Sequence, residues 1–502
     1  MAGASVAAPG LLTLRSGRGR LALLGTVLAS STAMLDATIV NVALPHIGDD
    51  LDVGVSGLQW VVSGYLLTLA SLILLGGALG DRYGRRRVFT FGAVWFAVAS
   101  LACALAPSAP ALVGARMLQG IGGALLTPTS LALVQASFVR GDRAAAVGAW
   151  SGLGGLAGAI GPFLGGWLVD GPGWRWAFLV NLPMLAMAVL ASRSLPESRG
   201  ASSAGTHFDA WGAGLAAVAL GGITWALTEA PSRGWGDATV LAALAVAVVT
   251  SVGFVARQRR ATTPLVPARL FRSRTFTVLN IATFALYATI GAQFFLVVYQ
   301  LQVSAGWSAI AAGSALVPVT LLMLVGSARS GELAARIGPR PQLVIGPLLL
   351  AAGQLLLARI GRDAEWVADV LPGALLFGFG LVAFVAPLTA SVMGSVDESF
   401  VSTASGINNA IARTGGLFAV ALVPGVSGLT TAVGPAATTE AYRTAMWIAS
   451  ALAVVASAVA AFGLPRAPRT RRSARRYTCP VDGAPLQPDP AACPPSAEPR
   501  AA

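Results

Sequence analysis

Long apolar runs alternate with short polar connections along most of this chain. Each run has roughly 18 to 25 residues, enough for an α-helix to cross about 30 Å of hydrocarbon. The runs are continuous and rich in Ala, Leu, Val and Gly, so the pattern predicts an all-α integral membrane protein with about fourteen spans. The expected spans are 20–43, 57–80, 88–107, 111–136, 144–168, 174–192, 211–230, 238–257, 275–301, 307–328, 341–359, 366–393, 403–428 and 441–463.

Composition agrees with this pattern. Hydrophobic residues make up 55% of the 502 residues and charged residues only 11%, with a mean hydropathy of +0.72. A soluble globular protein normally has about a quarter of its residues charged. The chain is therefore too apolar to be a soluble protein.

The position of the charge predicts the topology. The net charge is +13, and all 34 basic residues are Arg. If the N-terminus lies inside and the loops alternate, 26 Arg fall in the inner loops and flanks and five in the outer ones. This positive-inside bias predicts a cytoplasmic membrane protein with both termini in the cytoplasm. It also explains the excess charge without a nucleic-acid partner.

Two stretches with the same spacing indicate an internal duplication. Residues 77–87 read GALGDRYGRRR and residues 331–340 read GELAARIGPR, and each follows the second span of a six-helix set. The alignment matches Gly77, Leu79, Arg82 and Gly84 with Gly331, Leu333, Arg336 and Gly338. We therefore expect two six-helix bundles with two inserted helices. The expected segments are a cytoplasmic segment 1–19, bundles 20–192 and 275–463, the inserted region 193–274, and a basic, Pro-rich, disordered tail 464–502.

The first of these stretches is a candidate gating loop. Gly can adopt the left-handed conformation that a tight turn between helices requires. Asp81 offers a carboxylate to helix-end amides or to a neighbouring Arg. The second copy has Ala335 at the matching position, so only the first copy can act through a carboxylate. The residues of interest are Gly77, Asp81, Arg82, Gly84 and Arg85.

Several motifs together resemble one family. The 77–87 loop resembles the signature loop of the major facilitator superfamily. Four further stretches resemble motifs of its fourteen-span drug:proton antiporters, the EmrB/QacA type: LDATIVNVALP, RMLQGIGGA, GLAGAIGPFLGGWL and WRWAFLVNLP. The resemblance implies the major facilitator fold and a monomer that exports small lipophilic drugs in exchange for protons. Such a carrier needs no cofactor, because the proton gradient drives it.

The fifth predicted span carries a stripe of small residues. Glycines recur at three- and four-residue intervals, which lets another helix approach closely, and a proline removes one amide donor and bends the helix. The residues are Gly154, Gly158, Gly161, Pro162 and Gly165. Ordinary helix packing is the alternative explanation. The resemblance favours an antiporter motif, which is associated with outward transport.

Asp36 is the only acidic residue that we place deep within a span. Burial favours its neutral form, whereas a nearby cation or water favours the carboxylate. A site that alternates between these conditions can take up a proton on one side and release it on the other. Two alternatives remain open: a permanently hydrogen-bonded structural Asp, and a counter-ion for cationic substrates.

Arg116 is the second intramembrane charge of the first half. A guanidinium stays protonated, so within hydrocarbon it must face the bundle interior, water or a partner. An Arg that snorkels to the membrane surface is the alternative. The resemblance implies a role in proton transfer. Gln119 lies at i+3 on the same face and could share polar contacts.

The remaining candidates for a substrate cavity are polar residues in predicted spans. Amides and hydroxyls in membrane helices either line cavities or join helices, and we expect fewer than half of these to touch substrate. They are Asn41 and Gln119 in the first half, and Asn280, Tyr287, Gln293, Asn408 and Arg413 in the second.

The sequence favours a transporter over an enzyme. It has no phosphate-binding Gly-Lys-Ser/Thr loop and no soluble domain long enough for a catalytic core. His46 and His207 stand apart in expected loops, and Cys479 and Cys493 lack nearby partners, so we predict no metal site. We expect a proton-driven drug exporter. The alternatives are an exporter of a lipid, siderophore or self-made metabolite, a facilitated importer, and a membrane sensor without transport.

Overall fold

The computed structural model describes residues 11–199, 209–261, 264–397 and 400–465. Residues 466–502 of the expected tail, which include Cys479 and Cys493, lie outside these ranges, as does His207. The described residues form fourteen main helices, labelled here in chain order. They are α1 (Gly17–Leu51), α2 (Val55–Tyr83), α3 (Arg85–Ala104), α4 (Ala109–Ser137), α5 (Arg140–Asp170), α6 (Trp176–Ser192), α7 (Ala210–Arg233), α8 (Ala238–Arg260), α9 (Arg274–Val303), α10 (Ala309–Ile337), α11 (Pro339–Leu357), α12 (Trp366–Gly394), α13 (Val401–Val426) and α14 (Pro435–Gly463).

The helices match the predicted membrane spans. Within the described ranges, thirteen are long and apolar enough to cross a membrane, and α6 is a shorter apolar helix. Their exposed surfaces carry many large hydrophobic side chains, as a lipid-facing surface requires. The prediction of an all-α membrane protein is confirmed.

The same packing arrangement occurs in both halves. In the first half, α1 packs on α5 and α6, α2 on α4, and α3 on α4 and α6. In the second half, α9 packs on α13 and α14, α10 on α12, and α11 on α12 and α14. Each packed pair of helices in the first half therefore has a counterpart whose helix numbers are higher by eight. The predicted arrangement of two six-helix bundles with two inserted helices is confirmed.

The inserted helices lie beside the seam between the bundles. Helices α7 and α8 pack on each other, and α7 also contacts α2 and α13, one helix from each half. Trp60 of α2 donates a hydrogen bond of 3.1 Å to Glu229 of α7. The Trp60 indole thus joins the insertion to the first bundle.

The two ends of the bundle differ in how the halves meet. We call the end where α1 begins, which also contains Gly84 and Gly338, the basic end, and the other the opposite end. Every hydrogen bond seen between α1–α6 and α9–α14 in the described residues lies near the opposite end. The side-chain amide of Gln59 donates to the carbonyls of Val420 and Ala421, and that of Gln302 donates to the carbonyl of Val42. The backbone amides of Ala309 and Ile310 donate to the carboxylate of Asp170. The bundles are therefore fastened together at the opposite end.

Helix α1 is longer than expected. The predicted span ended at residue 43, with Pro45 just beyond it, yet the helix continues through Pro45 to Leu51. His46 consequently lies in this helix and not in a loop. One proline removes a single amide donor, and Leu44 and Ile47 next to it are completely buried. Burial of these side chains compensates for the missing backbone hydrogen bond.

Candidate functional site: a buried ion pair beside a central cavity

A buried ion pair lies in the first bundle. Asp36 projects from α1 and Arg116 from α4, and the distance from Arg116 Nη1 to Asp36 Oδ2 is 2.5 Å. The Asp36 side chain is 0% exposed and that of Arg116 is 1% exposed. Each charge therefore compensates the other in surroundings where either alone would be expensive.

Two amides complete the surroundings of the carboxylate. Gln119 Nε2 and Asn181 Nδ2 donate to Asp36 Oδ1 at 2.8 and 2.9 Å. Both amides also donate to the hydroxyl of Ser100, at 2.8 and 3.3 Å. Helices α1, α3, α4 and α6 thus meet at one polar cluster. The cluster holds the carboxylate with three donor side chains.

The guanidinium is held on its other side by backbone and aromatic rings. Arg116 Nε donates to the carbonyl of Val61 at 3.1 Å. Its Cζ lies 4.4 Å from the ring centroid of Tyr65 and 5.7 Å from that of Phe178. Cations are attracted to aromatic faces within about 6 Å. Arg116 is therefore fixed within the bundle, as these contacts and its burial both exclude the snorkelling alternative.

A cavity of about 180 Å³ lies next to the ion pair, between the two bundles. Its walls come from α1, α2, α4, α9 and α13, and Arg116 forms part of them. The lining is largely apolar and aromatic. It comprises Ala37, Thr38, Val40, Asn41, Val62, Tyr65, Leu66, Arg116, Tyr287, Ile290, Gly291, Phe294, Ala412, Arg413, Gly416 and Val420. Of the seven polar residues expected there, the structure places Asn41, Tyr287 and Arg413 on the wall.

The other four expected residues lie elsewhere. Gln119 belongs to the Asp36 cluster. Asn408 donates to Asn280 Oδ1 at 3.1 Å and to Thr283 Oγ1 at 2.8 Å, so these amides join α13 to α9. Gln293 is completely buried, and its amide atoms have no partner among the described residues. Gln119 also accepts a hydrogen bond of 2.5 Å from Arg116 Nη1, the polar contact expected from its i+3 position. The sequence does not fix the rotation of a helix, so it could not show which polar side chains face the cavity.

Arg413 contrasts with Arg116. It lies midway along α13 and its side chain forms part of the cavity wall. Among the described residues it forms neither a hydrogen bond nor an ion pair. The described residues that line the cavity include no Asp or Glu. The cavity therefore presents one guanidinium that is already neutralised and one that is not.

Comparison with known proteins identifies the family of this chain. The Major Facilitator Superfamily model matches residues 26–420. The chain belongs to the Major Facilitator Superfamily. It is 36% identical over 408 residues to a tetracenomycin C resistance and export protein of Streptomyces glaucescens, covering 81% of this chain and 76% of that protein. It is 34% identical to a puromycin resistance protein of Streptomyces alboniger, covering 85% and 86%.

Solved structures agree on the fold. A bacterial homologue of the human lysosomal transporter Spinster, in an inward-facing and unoccupied conformation, matches with a TM-score of 0.65 at 16% identity. The match covers 89% of this chain and 97% of that one. The family model and the curated relatives confirm the predicted family and the prediction of a transporter. These relatives are resistance and export proteins, as the drug antiporter type implies.

The superfamily loop after α2 is held by its own bundle. Gly84 has a φ of 111° and Gly338 a φ of 82°, so a glycine turn follows the second helix of each half. Asp81 pairs with Arg85 at 2.7 Å, and Arg86 N donates to Glu197 at 3.0 Å. Gly77 lies inside α2, near Pro128 of α4. Arg82 lies in the last turn of α2, with its guanidinium over the Tyr83 ring.

The small residues of α5 divide into two groups. A side chain at Gly161 would collide with Thr38 of α1, and a Cβ at Gly165 would lie 3.0 Å from Ile39 Cα. The carbonyl of Pro162 leaves no room for a side chain at Gly313 of α10. A Cβ at Gly154 or Gly158, in contrast, would meet no described atom within 4 Å. Close packing therefore uses only the half of the motif nearer the opposite end.

Asn181 and Ser100 were missed from the sequence. Asn181 occurs in the WRWAFLVNLP stretch, whose resemblance to a family motif assigns no role to this amide. A lone amide or hydroxyl in an apolar helix is common, so neither residue stood out. Only the fold shows that both side chains meet the buried carboxylate.

Proposed function

We propose that this transporter is a proton-driven exporter of small lipophilic drugs or antibiotics, acting as a monomer in the cytoplasmic membrane. Both termini and the basic end face the cytoplasm, which the distribution of Arg supports. The resistance and export functions of its relatives support outward transport. The proton gradient replaces any cofactor or ATP as the driving force.

The observation that carries the proposal is the Asp36 cluster. A carboxylate that is 0% exposed holds an ion pair with one wall residue of the central cavity. Gain of a proton by Asp36 would remove the negative charge that Arg116 requires. The position of the guanidinium, and with it the shape of the cavity wall, would then depend on the protonation state. This is the link that exchange of a proton for a substrate needs.

The arrangement of contacts suggests which step the structure represents. The bundles are fastened at the opposite end, which in our orientation faces outward. This is the state in which a carrier would accept substrate from the cytoplasm. Alternating access then requires the contacts of Gln59, Asp170 and Gln302 to open while the basic end closes, as the two bundles rock around the central cavity.

The test is Asp36→Asn in everted membrane vesicles. The asparagine keeps the size of the side chain but has no titratable proton. We expect drug-triggered proton release to be abolished. The matched control is Asp50→Asn, which makes the same change in the same helix, where the carboxylate is exposed and pairs with Arg175. The control should transport like the parent protein.

Folding is checked by the amount of inserted protein and by a single symmetric peak in size-exclusion chromatography. A normally inserted Asp36→Asn protein that still transports drug with an undiminished dependence on the proton gradient would contradict the proposal. Asp36 would then be a structural residue, and coupling would have to occur at another group.

A further inference from the structure

The central cavity contains an uncompensated positive charge. Arg116 is neutralised by Asp36 at 2.5 Å, whereas Arg413 has no ion-pair or hydrogen-bond partner among the described residues. Arg413 lies midway along a membrane helix, where an unpaired guanidinium is expensive. A guanidinium cannot lower this cost by releasing its proton. Compensation of this charge must therefore come from solvation by water or from an anionic ligand.

The neighbours of Arg413 restrict what that ligand can be. The same cavity is lined by the aromatic side chains of Tyr65, Tyr287 and Phe294 and by aliphatic residues from both bundles. Aromatic and apolar walls favour a flat, lipophilic molecule. No carboxylate on the wall attracts a cation, because Asp36 is enclosed by its own three donors. A cationic ligand would lie beside two guanidinium groups.

We propose that Arg413 is a substrate-binding residue, and that it selects aromatic substrates carrying one acidic group, such as a carboxylate or a phenolate. This inference rests on the proposed transport function. The planar guanidinium donates to the anionic oxygens, while Tyr287 and Phe294 on α9 contact the rings. The second bundle thus recognises the substrate, and the first bundle handles the proton.

The test uses two dyes that share one xanthene skeleton and differ in charge. Fluorescein methyl ester is a monoanion, and rhodamine 123 is a monocationic methyl ester. Binding to the purified full-length protein in detergent is followed by fluorescence anisotropy at neutral pH. We expect the parent protein to bind the anion more tightly. Arg413→Gln should weaken anion binding about 10- to 100-fold, the usual range for a charge-assisted hydrogen bond, and should not weaken binding of the cation.

Two further variants guard against a folding artefact. Arg413→Lys keeps the charge and should recover most of the affinity for the anion. Arg443→Gln makes the matched change at an exposed Arg that pairs with Glu440, and it should bind both dyes like the parent protein. The inference is overturned if the parent protein binds neither dye or prefers rhodamine 123. It is equally overturned if Arg413→Gln changes the affinity for both dyes alike.

Asp36→Asn separates this inference from the proposed function. If both hold, that variant still binds fluorescein methyl ester but no longer exports it in response to a proton gradient. If Asp36→Asn still exports the dye in response to a proton gradient, while Arg413→Gln loses the anion preference, proton coupling at Asp36 is contradicted and the role of Arg413 is supported. If Asp36→Asn loses proton-driven export but the parent protein shows no anion preference, proton coupling at Asp36 is supported and the role of Arg413 is contradicted.

Discussion

The two bundles share one packing arrangement but differ in their polar interiors. In the first, a carboxylate and a guanidinium are paired, fully buried and surrounded by amides. In the second, the polar contacts of Asn280, Thr283 and Asn408 join neutral groups, and among its described residues the only charge at mid-depth is the unpaired Arg413. Duplication has preserved which helices touch, because small residues and apolar surfaces suffice for that.

The difference suggests that the two bundles have different functions. A paired charge can change state when a proton arrives, because protonation removes one member of the pair. An unpaired charge cannot change in this way, but it can attract a partner from outside. The two halves therefore suit two tasks of a coupled carrier, one of which is to respond to protons and the other to bind substrate.

The most disruptive way to test this contrast is to remove one member of the buried pair. Arg116→Leu leaves Asp36 with two amides and no counter-charge. Breaking a buried ion pair on one side typically costs about 3–5 kcal/mol, so we expect a large fall in thermal stability in detergent. Asp36→Leu combined with Arg116→Leu removes both charges and should be clearly more stable than the single variant, although inactive.

Arg413→Leu provides the comparison from the other bundle. It removes a charge that compensates no carboxylate, so it should not destabilise the protein and could make it more stable. Equal losses of stability in Arg116→Leu and Arg413→Leu would show that the two guanidinium groups have the same role. The contrast between the bundles would then be wrong.

A smaller effect is expected from one amide in each bundle. Asn181→Leu removes a hydrogen bond to a charged carboxylate, which is worth about 1.5–3 kcal/mol. Asn408→Leu removes hydrogen bonds between neutral groups, which in membrane helices average about 0.6 kcal/mol and reach about 1.7. Thermal unfolding should therefore show a larger loss of stability in Asn181→Leu than in Asn408→Leu. Drug-triggered proton release should be reduced in Asn181→Leu and unchanged in Asn408→Leu. Reduced proton release in Asn408→Leu alone would place the coupling group in the second bundle.

The sequence was most informative where a residue type is rare. Asp36 and Arg116 could be selected because charges are uncommon within apolar runs, and the structure brings them together. Residues such as Asn181 and Asn408 could not be assigned in the same way, because amides are common in membrane helices and their partners depend on helix rotation. The predicted end of α1 was wrong because the buried neighbours of Pro45, which only the fold reveals, override the local effect of the proline.

The smallest expected effect concerns the duplicated loops. Asp81 lies in the last turn of α2 and Arg85 in the first turn of α3, so each charge opposes its own helix dipole and the two compensate each other. The second loop has Ala335 and Pro339 at the matching positions, hence neither charge. Asp81 is half exposed, and exposed ion pairs contribute only about 0.2–1 kcal/mol.

Asp81→Asn should therefore lower the free energy of unfolding by only a few tenths of a kcal/mol at low salt. High salt screens exposed charges, so the difference from the parent protein should disappear in 0.5 M NaCl, about five times the ionic strength that gives a 10 Å Debye length. Ala335→Asp is the matched control. Its new carboxylate has no Arg four residues later, because Pro339 occupies that position, so the variant should not raise the free energy of unfolding. A transport defect in Asp81→Asn without a change in stability would indicate that this carboxylate acts in the alternate state, where it would meet the second bundle.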